Sequence, residues 1–340
     1  MTNLCEIIAL SRIKGLSLFK KREILESNDT GALKNAIKDF KGFKEIEKEL
    51  KRLDDMNIEV LTINDKEYPV LLKNIPDAPV VIYKKGRIPE ETKYISIVGS
   101  RKATYAGINI SEKIAQTLSS IGITVVSGLA RGIDAAAHRG ALNEKGKTVA
   151  VLGSGIDICY PSENYYLYER IGREGAIISE YGLGEKPYPF RFPERNRIIA
   201  GMSMGIVVVE ASAKSGSLIT ARLGLEYGRE VMAIPGSIFN EEYRGANRLI
   251  KDGARLIEGL EDIIANCFPE LSGFSVYSEN KVDMDEEESY IYNLIGNDKT
   301  HIDEIIDKSK RQAKEVMAII TRLEMKEAIR QFPGGYYIKR

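Results

Sequence analysis

The pattern that most constrains this chain is a set of short apolar segments, rich in Val and Ile, recurring between residues 92 and 265. They lie at 94–98, 123–126, 148–152, 176–179, 206–210, 230–234 and 255–257. Most lack period-two alternation, as expected of strands buried on both faces. Helical stretches separate them near 105–121, 132–144, 163–174, 195–203 and 217–228. Strand alternating with helix predicts right-handed βαβ units and an α/β fold, a Rossmann-like, doubly wound, mostly parallel sheet.

Other patterns flank this region. Residues 1–63 read as a domain of short helices, with apolar positions such as Leu4, Ile7 and Ile8, then Ile37, Phe40, Phe43, Ile46 and Leu50 at helical spacing. The stretch Ile13-Lys14-Gly15-Leu16 faintly suggests a helix–hairpin–helix turn, but with one glycine it reads better as an ordinary turn. Residues 64–91 form an extended lead-in to a central domain over 64–267, because four X-Pro steps disfavour helix there. Within it, 80–83 reads as an edge strand. Residues 268–285 read as a linker, and the acidic run 283–288 as a solvated charge run. Residues 286–340 contain three helical patterns, then 328–332, Pro333-Gly334-Gly335 and 336–338 as a hairpin. Three helices and a two-stranded wing describe a winged helix. Its third helix mixes Glu315 and Glu324 with Lys314, Arg322 and Lys326, so partner contact or regulation is as plausible a use as groove reading.

Composition narrows the function. The 340 residues are 43% apolar, which fits two or three packed domains. With 49 basic and 49 acidic residues the net charge is zero, giving no support to nucleic-acid binding through bulk charge. Cys5, Cys159 and Cys267 show no CxxC spacing, so neither a metal site nor a disulfide framework is expected. No signal-peptide pattern occurs, and apolar runs fall far below the ~20 residues that span a bilayer. A cytoplasmic protein with no membrane contact is expected.

Chemistry is expected beyond the carboxyl ends of the strands, where open parallel sheets bind ligands. Polar, Gly-rich segments follow five of the strands: Gly99-Ser100-Arg101, the stretch from Ser127-Gly128 to Asp134, Gly153-Ser154-Gly155, Lys214-Ser215-Gly216-Ser217 and Pro235-Gly236-Ser237. The segment from Phe192 to Arg197 opens a helix on the same rim. Glycines allow close backbone approach, helix starts offer free N–H groups, and Arg101, Arg131, Arg195, Arg197 and Lys214 add charge. Arg131 could instead pair with Asp134, and Arg195 and Arg197 with Glu194. Taken together, the segments predict a rim that binds a phosphate-bearing ligand. The local count over 191–197, three Arg against one Glu, predicts a narrow basic strip.

No cofactor is expected. The GxGxxG pattern fails because Ile158 stands at its third glycine, and GxxxxGK[ST] is absent. His138 lies on a small-residue helix face and reads as structural, and neither it nor His301 is placed beside a nucleophile. The rim favours binding over catalysis, so no enzyme is expected.

Gly99-Ser100-Arg101, SGLARGIDAAAH at 127–138, FPERNRIIAG at 192–201 and KSGSLITA at 214–221 resemble the motifs of the DNA-processing protein A (Smf) family. So do Gly245-Ala246-Asn247, Leu249-Ile250 and Gly253-Ala254. The N-terminal helices resemble that family's SAM-like domain, and the C-terminal module resembles its winged helix. The resemblance implies a protein of natural transformation that binds incoming single-stranded DNA, protects it and loads the RecA recombinase. It implies a homodimer formed through the Rossmann-like domain, with 249–257 as a candidate surface. It implies a DNA pocket lined by Arg101, Ser127, Gly128, Phe192, Arg195, Asn196, Arg197, Lys214, Ser215, Gly216 and Ser217. Glu194 departs from the basic residue often found there.

Two other functions compete. Lysine-decarboxylase-like phosphoribohydrolases resemble this fold and use PGGxGTxxE, but here Ala221 stands where that glutamate is expected. A regulator binding duplex DNA through the winged helix is the other.

Overall fold

The computed structural model describes residues 3–27, 29–90, 93–143, 147–271, 284–296, 299–326 and 328–339. They fall into two compact units, divided at Ser272–Gly273.

The first unit opens with helices α1 (Leu4–Arg12), α2 (Leu18–Glu26), α3 (Thr30–Ile37) and α4 (Phe43–Asp55). Gly15 makes the turn after α1 with a φ of 82°, a conformation that favours glycine. Strand β1 (Ile58–Thr62), the short α5 (Val70–Lys73) and β2 (Val81–Gly86) follow. The alternation then runs β3 (Tyr94–Val98), α6 (Tyr105–Ser120), β4 (Thr124–Ser127), α7 (Ile133–Asn143), β5 (Thr148–Leu152), α8 (Tyr165–Glu174) and β6 (Ala176–Ser179). It continues through α9 (Arg191–Met202), β7 (Gly205–Val208), α10 (Ser217–Glu226), β8 (Glu230–Ala233), α11 (Arg244–Lys251), β9 (Arg255–Leu256) and α12 (Leu260–Cys267). From β3 onward the strands coincide with the apolar runs read from the sequence, and α6 to α10 with the expected helices, apart from shifts of a few residues at their ends; α11 and α12 were not among the expected helices.

The sheet order is β1-β2-β6-β5-β4-β3-β7-β8-β9. From β6 to β9 all neighbours pair in parallel, and every residue of β3, β4, β5, β6 and β7 is buried. Their Val and Ile side chains are covered on both faces, which explains the missing alternation. Helices α6, α7 and α8 pack on one another, as do α5, α9 and α10, making two helical layers. Among the described residues no helix is long and apolar enough to cross a membrane.

Two expectations change at the start of the sheet. Residues 58–62, read with the helices, are an edge strand. Residues 80–83, read as an edge, belong to β2, which is antiparallel to β1 on one side and to β6 on the other. Whether a strand is an edge depends on its neighbours, which a local pattern does not show. The helices also share the core of the sheet, which runs without a break from Ile7 to Ala246. Arg12 pairs with Glu49 and donates to the Tyr83 hydroxyl on β2 at 3.0 Å.

The second unit carries α13 (Glu286–Leu294), β10 (Thr300–His301), α14 (Ile302–Ser309), α15 (Ala313–Met325), β11 (Ile329–Phe332) and β12 (Tyr336–Lys339). Its sheet order is β10-β12-β11, and Ile291, Ile305, Val316, Ile320 and Leu323 fill its core. This is the winged helix, with one strand, β10, that the sequence pattern did not show. Most of the expected linker, and Asp283 of the acidic run, lie outside the described residues. The rest of that run is not a free charge run. Asp285 caps α13 in a capping box with Glu288, and acids in a first helical turn complement the helix dipole. Glu288 is buried and accepts from Lys326 at 2.6 Å, while Arg322 and Arg311 also lie within ion-pair distance of this acidic turn.

Candidate functional site

Strand order reverses at β3, which lies between β4 and β7. The loops after β3 and β7 therefore diverge and leave a crevice, the usual ligand position of such sheets. A cleft of about 660 Å³ occupies it. Its walls include Gly99–Lys102 after β3, Ser212 and 214–217 after β7, and Phe192, Arg195 and Asn196 of α9.

Of the cations that line the cleft, Arg101, Lys102 and Lys214 are exposed. Among the described residues none of them makes an ion pair. The Arg101 guanidinium lies over the Phe192 ring, 5.1 Å from its centre, and the Tyr160 ring centre lies 5.5 Å from that of Phe192. The loop bearing Arg101 is held from below. The Ser100 amide donates to the Glu210 carbonyl at 2.7 Å, and the fully buried Glu210 carboxylate accepts from the Thr104 amide at 2.9 Å and from its hydroxyl. Thr104 in turn caps α6.

Across the cleft, Ser215 and Ser217 share a hydrogen bond of 2.7 Å at the start of α10. The turn closes on itself: the Ser217 amide donates to Ser215 Oγ at 3.4 Å, and the Leu218 and Ile219 amides donate to the carbonyls of Ser215 and Gly216 at 3.2 and 3.1 Å, so what the helix start offers an anion is its partial positive charge. Gly216 has an ordinary φ of −63° and open space where a Cβ would project. Nothing inside the protein requires glycine there.

Other glycines of the rim serve the protein itself, contrary to the expectation that each admits a ligand. A Cβ on Gly99 would strike Ile133, on Gly128 the Arg195 guanidinium, on Gly153 the Phe192 ring, and on Gly155 the Gly182 carbonyl. These positions let chain segments approach one another.

Several expected contact residues face inward. Ser127 is fully buried and donates to the Ile97 carbonyl at 2.7 Å, within the sheet. Arg195 touches the cleft wall but is only 3% exposed. Its guanidinium donates to the carbonyls of Gly128 and Val151. Burial pulls its pKa down to about 10, against the opposing pull of Asp134. Burial likewise raises the Asp134 carboxyl, whose Oδ2 accepts from the Gly128 amide at 3.2 Å. Arg197 pairs with Glu180 and donates to the Asp77 carbonyl at 2.7 Å. Asn196 donates to the Gly216 carbonyl at 3.3 Å and so steadies the loop opposite. Ser127, Arg195 and Arg197 thus donate to groups inside the protein, although the buried Arg195 Nε has no partner among the described residues.

Local pairing also differs from the sequence reading. Arg131 pairs with Glu163 through 2.6 Å contacts and not with Asp134. Glu194 accepts from the Tyr181 hydroxyl at 2.8 Å and pairs with neither arginine. His138 is fully buried against the Thr148 hydroxyl at 2.7 Å, in keeping with a structural part.

Lys102, Tyr160 and Glu242 line the cleft but were not singled out from the sequence. Lys102 adjoins the Gly99-Ser100-Arg101 motif, so that signal could have found it. Tyr160 and Glu242 arrive from distant loops, and Glu242 accepts from the Ser100 hydroxyl at 2.6 Å.

The sequence model of the family described as DNA recombination-mediator protein A matches residues 59–268. The chain belongs to this family. The DprA winged-helix domain matches residues 278–335. Family membership places the chain among DNA-processing proteins. The DNA processing protein DprA of Streptococcus pneumoniae is 46% identical over 190 residues, 55% of this chain and 67% of the relative. Protein Smf of Escherichia coli is 38% identical over 249 residues, 71% of this chain and 67% of the relative. The X-ray structure of the Streptococcus pneumoniae protein superposes with a TM-score of 0.68 at 36% identity, covering 78% of this chain and 99% of that one. A Helicobacter pylori DNA processing protein A, described for its single-stranded DNA binding mode, superposes with a TM-score of 0.56 at 26% identity, covering 63% of this chain and 96% of that one.

Proposed function

We propose that the cleft grips single-stranded DNA and that the chain acts as a recombination mediator, protecting incoming strands and passing them to a RecA recombinase. The observation that carries this reading is the facing of two walls across the switch point. On one, Arg101 lies over Phe192 beside Tyr160; on the other, Lys214 adjoins Ser215, Ser217 and the start of α10. Cations and the positive end of a helix suit phosphates, and the exposed Tyr160 and half-buried Phe192 rings suit bases of any sequence. Arg101, Lys214, Ser215, Gly216, Ser217 and Phe192 make the contacts. Arg195, Asn196, Arg197, Gly128 and Ser127 hold the walls, and Arg131 is recruited if its surface pair with Glu163 opens, since such pairs hold weakly. The Helicobacter pylori relative supports the choice of ligand.

The chain binds without catalysing a reaction in this reading and works as a homodimer. Leu256 on the edge strand β9 is 43% exposed and centres the candidate surface at 249–257. Loss of self-association in Leu256→Asp, read by sedimentation, tests that surface.

The test of the main reading compares one strand with its duplex at two salt concentrations. Tighter single-strand binding that weakens steeply with salt is the expected result. Equal or tighter duplex binding overturns it. Glu242 in the cleft wall supports a second reading, a nucleotide hydrolase, since it supplies an acid that the motif at Ala221 lacks. Turnover of nucleoside monophosphates that is lost in Glu242→Gln would establish it.

A further inference from the structure

The rim segment 186–191 has a use that the cleft does not absorb. Pro187 and Pro189 line the cleft. The residues alternating with them, Tyr188 and Phe190, are 45% and 60% exposed. Their rings lie parallel, with an interplanar angle of 6° and centroids 5.7 Å apart. The Arg191 guanidinium sits 4.5 Å from the Tyr181 ring centre and 5.1 Å from that of Tyr188. It is itself largely buried, paired with Glu185 and donating to the Lys186 carbonyl at 2.6 Å. The segment before it is braced as well. The Leu183 amide donates to Glu49 at 2.8 Å, the Gly184 amide to Asp157 at 2.9 Å, and the Gly155 amide to the Glu185 carbonyl at 2.7 Å.

We infer that Tyr188 and Phe190 form a second stacking platform, on which bases of a single strand rest as it leaves the cleft over the 187–190 lip. This rests on the cleft binding single-stranded DNA. Two aromatic rings left in water at a cleft edge cost free energy unless something covers them. Parallel rings on a braced segment offer a flat face with little ordering entropy still to lose, which suits nucleobases. The cations are placed to match. Arg191 polarises the rings from below, and Lys186 is exposed with no ion pair among the described residues. Prolines toward the cleft and aromatics on its outer side make the lip a place where the strand turns outward.

The test uses the full chain and oligothymidylates from about three to about ten nucleotides long. Tyr188→Ala with Phe190→Ala is expected to weaken the long oligomer about tenfold and leave the shortest within about twofold. The salt slope should stay unchanged, because no phosphate contact is lost. Long-oligomer affinity equal to the parent's overturns the platform, and so does an equal loss at every length. The sequence contains no Trp, so Phe190→Trp places one emitter at the platform. Its emission should be quenched by the long oligomer and not by the shortest; no quenching at saturation also overturns the inference. Failure of the cleft reading is seen separately. It would leave Arg101→Ala with Lys214→Ala binding oligomers of every length as the parent does.

Discussion

In the loops after β3 and β7, Arg101, Lys102 and Lys214 keep their charges in water and free of ion pairs among the described residues. In α9, at the wall of the same cleft, Arg191 pairs with Glu185, Arg195 is enclosed by carbonyls and Arg197 pairs with Glu180. The two regions use cations in opposite ways. A solvated cation can exchange its counterions for phosphate at little structural cost. A buried arginine that already donates its N–H groups cannot turn outward without leaving buried carbonyls or a carboxylate unpaired. The arginines of the basic strip expected over 191–197 are therefore taken up by groups within the protein, and the cations left in water lie in the strand-end loops. The winged helix repeats the lesson, since the acidic first turn of α13 holds Arg311, Arg322 and Lys326.

The strongest way to break this contrast is Arg195→Ala. It removes the donor to Gly128 and Val151 and strips the buried Asp134 of its compensating charge. A loss of about 3–5 kcal/mol in stability, read from the urea midpoint, is expected. An unchanged midpoint would move Arg195 to the ligand-facing set. The converse variant, Arg101→Ala with Lys214→Ala, should leave the midpoint in place. It should weaken single-strand binding about a hundredfold for every sequence and lower the salt slope by about 1.4, the value for two phosphates on a single strand.

The buried layer also sets a pH response. Burial, reinforced by Arg195, lowers the His138 pKa from 6.5 to about 3. The unfolded chain thus takes up this proton at a higher pH than the folded one. Its contribution to stability is complete above pH 6.5 and is lost as pH falls toward 3, at about 1.4 kcal/mol per pH unit. Denaturant midpoints measured from pH 7 to 4 should show that slope, and His138→Gln should flatten it by one proton.

A smaller effect is expected at Gly216. Its ordinary φ and open surroundings mean that Gly216→Ala folds normally. Binding should fall several-fold because the added methyl stands in the way of a ligand approaching the backbone at the start of α10. Equal affinity would show that the strand does not approach this backbone. The smallest effect is expected from removing 273–340, the separate winged-helix unit. Single-strand affinity should change by less than about twofold; a larger loss would give that unit a share in the grip.

Much of the fold was legible because its signals are local. Unbroken Val and Ile runs mark strands covered on both faces, and the 3–4 spacing of Val316, Ile319, Ile320 and Leu323 marks α15. Strand β1 was not legible, and β2 was read as an edge, because its place in the interior depends on pairing with β1 and β6. The same divide runs through the site. The motifs at 99–101 and 214–217 could be located on the rim from order alone, since a loop after a parallel strand must emerge at its carboxyl edge. Tyr160 and Glu242 could not, since they reach the cleft from loops with no motif.

Residue order was thus enough to establish the α/β alternation, the edge of the sheet where the cleft opens and the helices of the winged module. It could not say which arginines of that edge meet solvent. Arg195 and Arg197 are claimed by Gly128, Val151, Asp77 and Glu180, groups brought to them from other parts of the chain. Burial and pairing are properties of the packed assembly, and they took all three arginines of the apparent basic strip into the interior network, leaving Arg101, Lys102 and Lys214 in water.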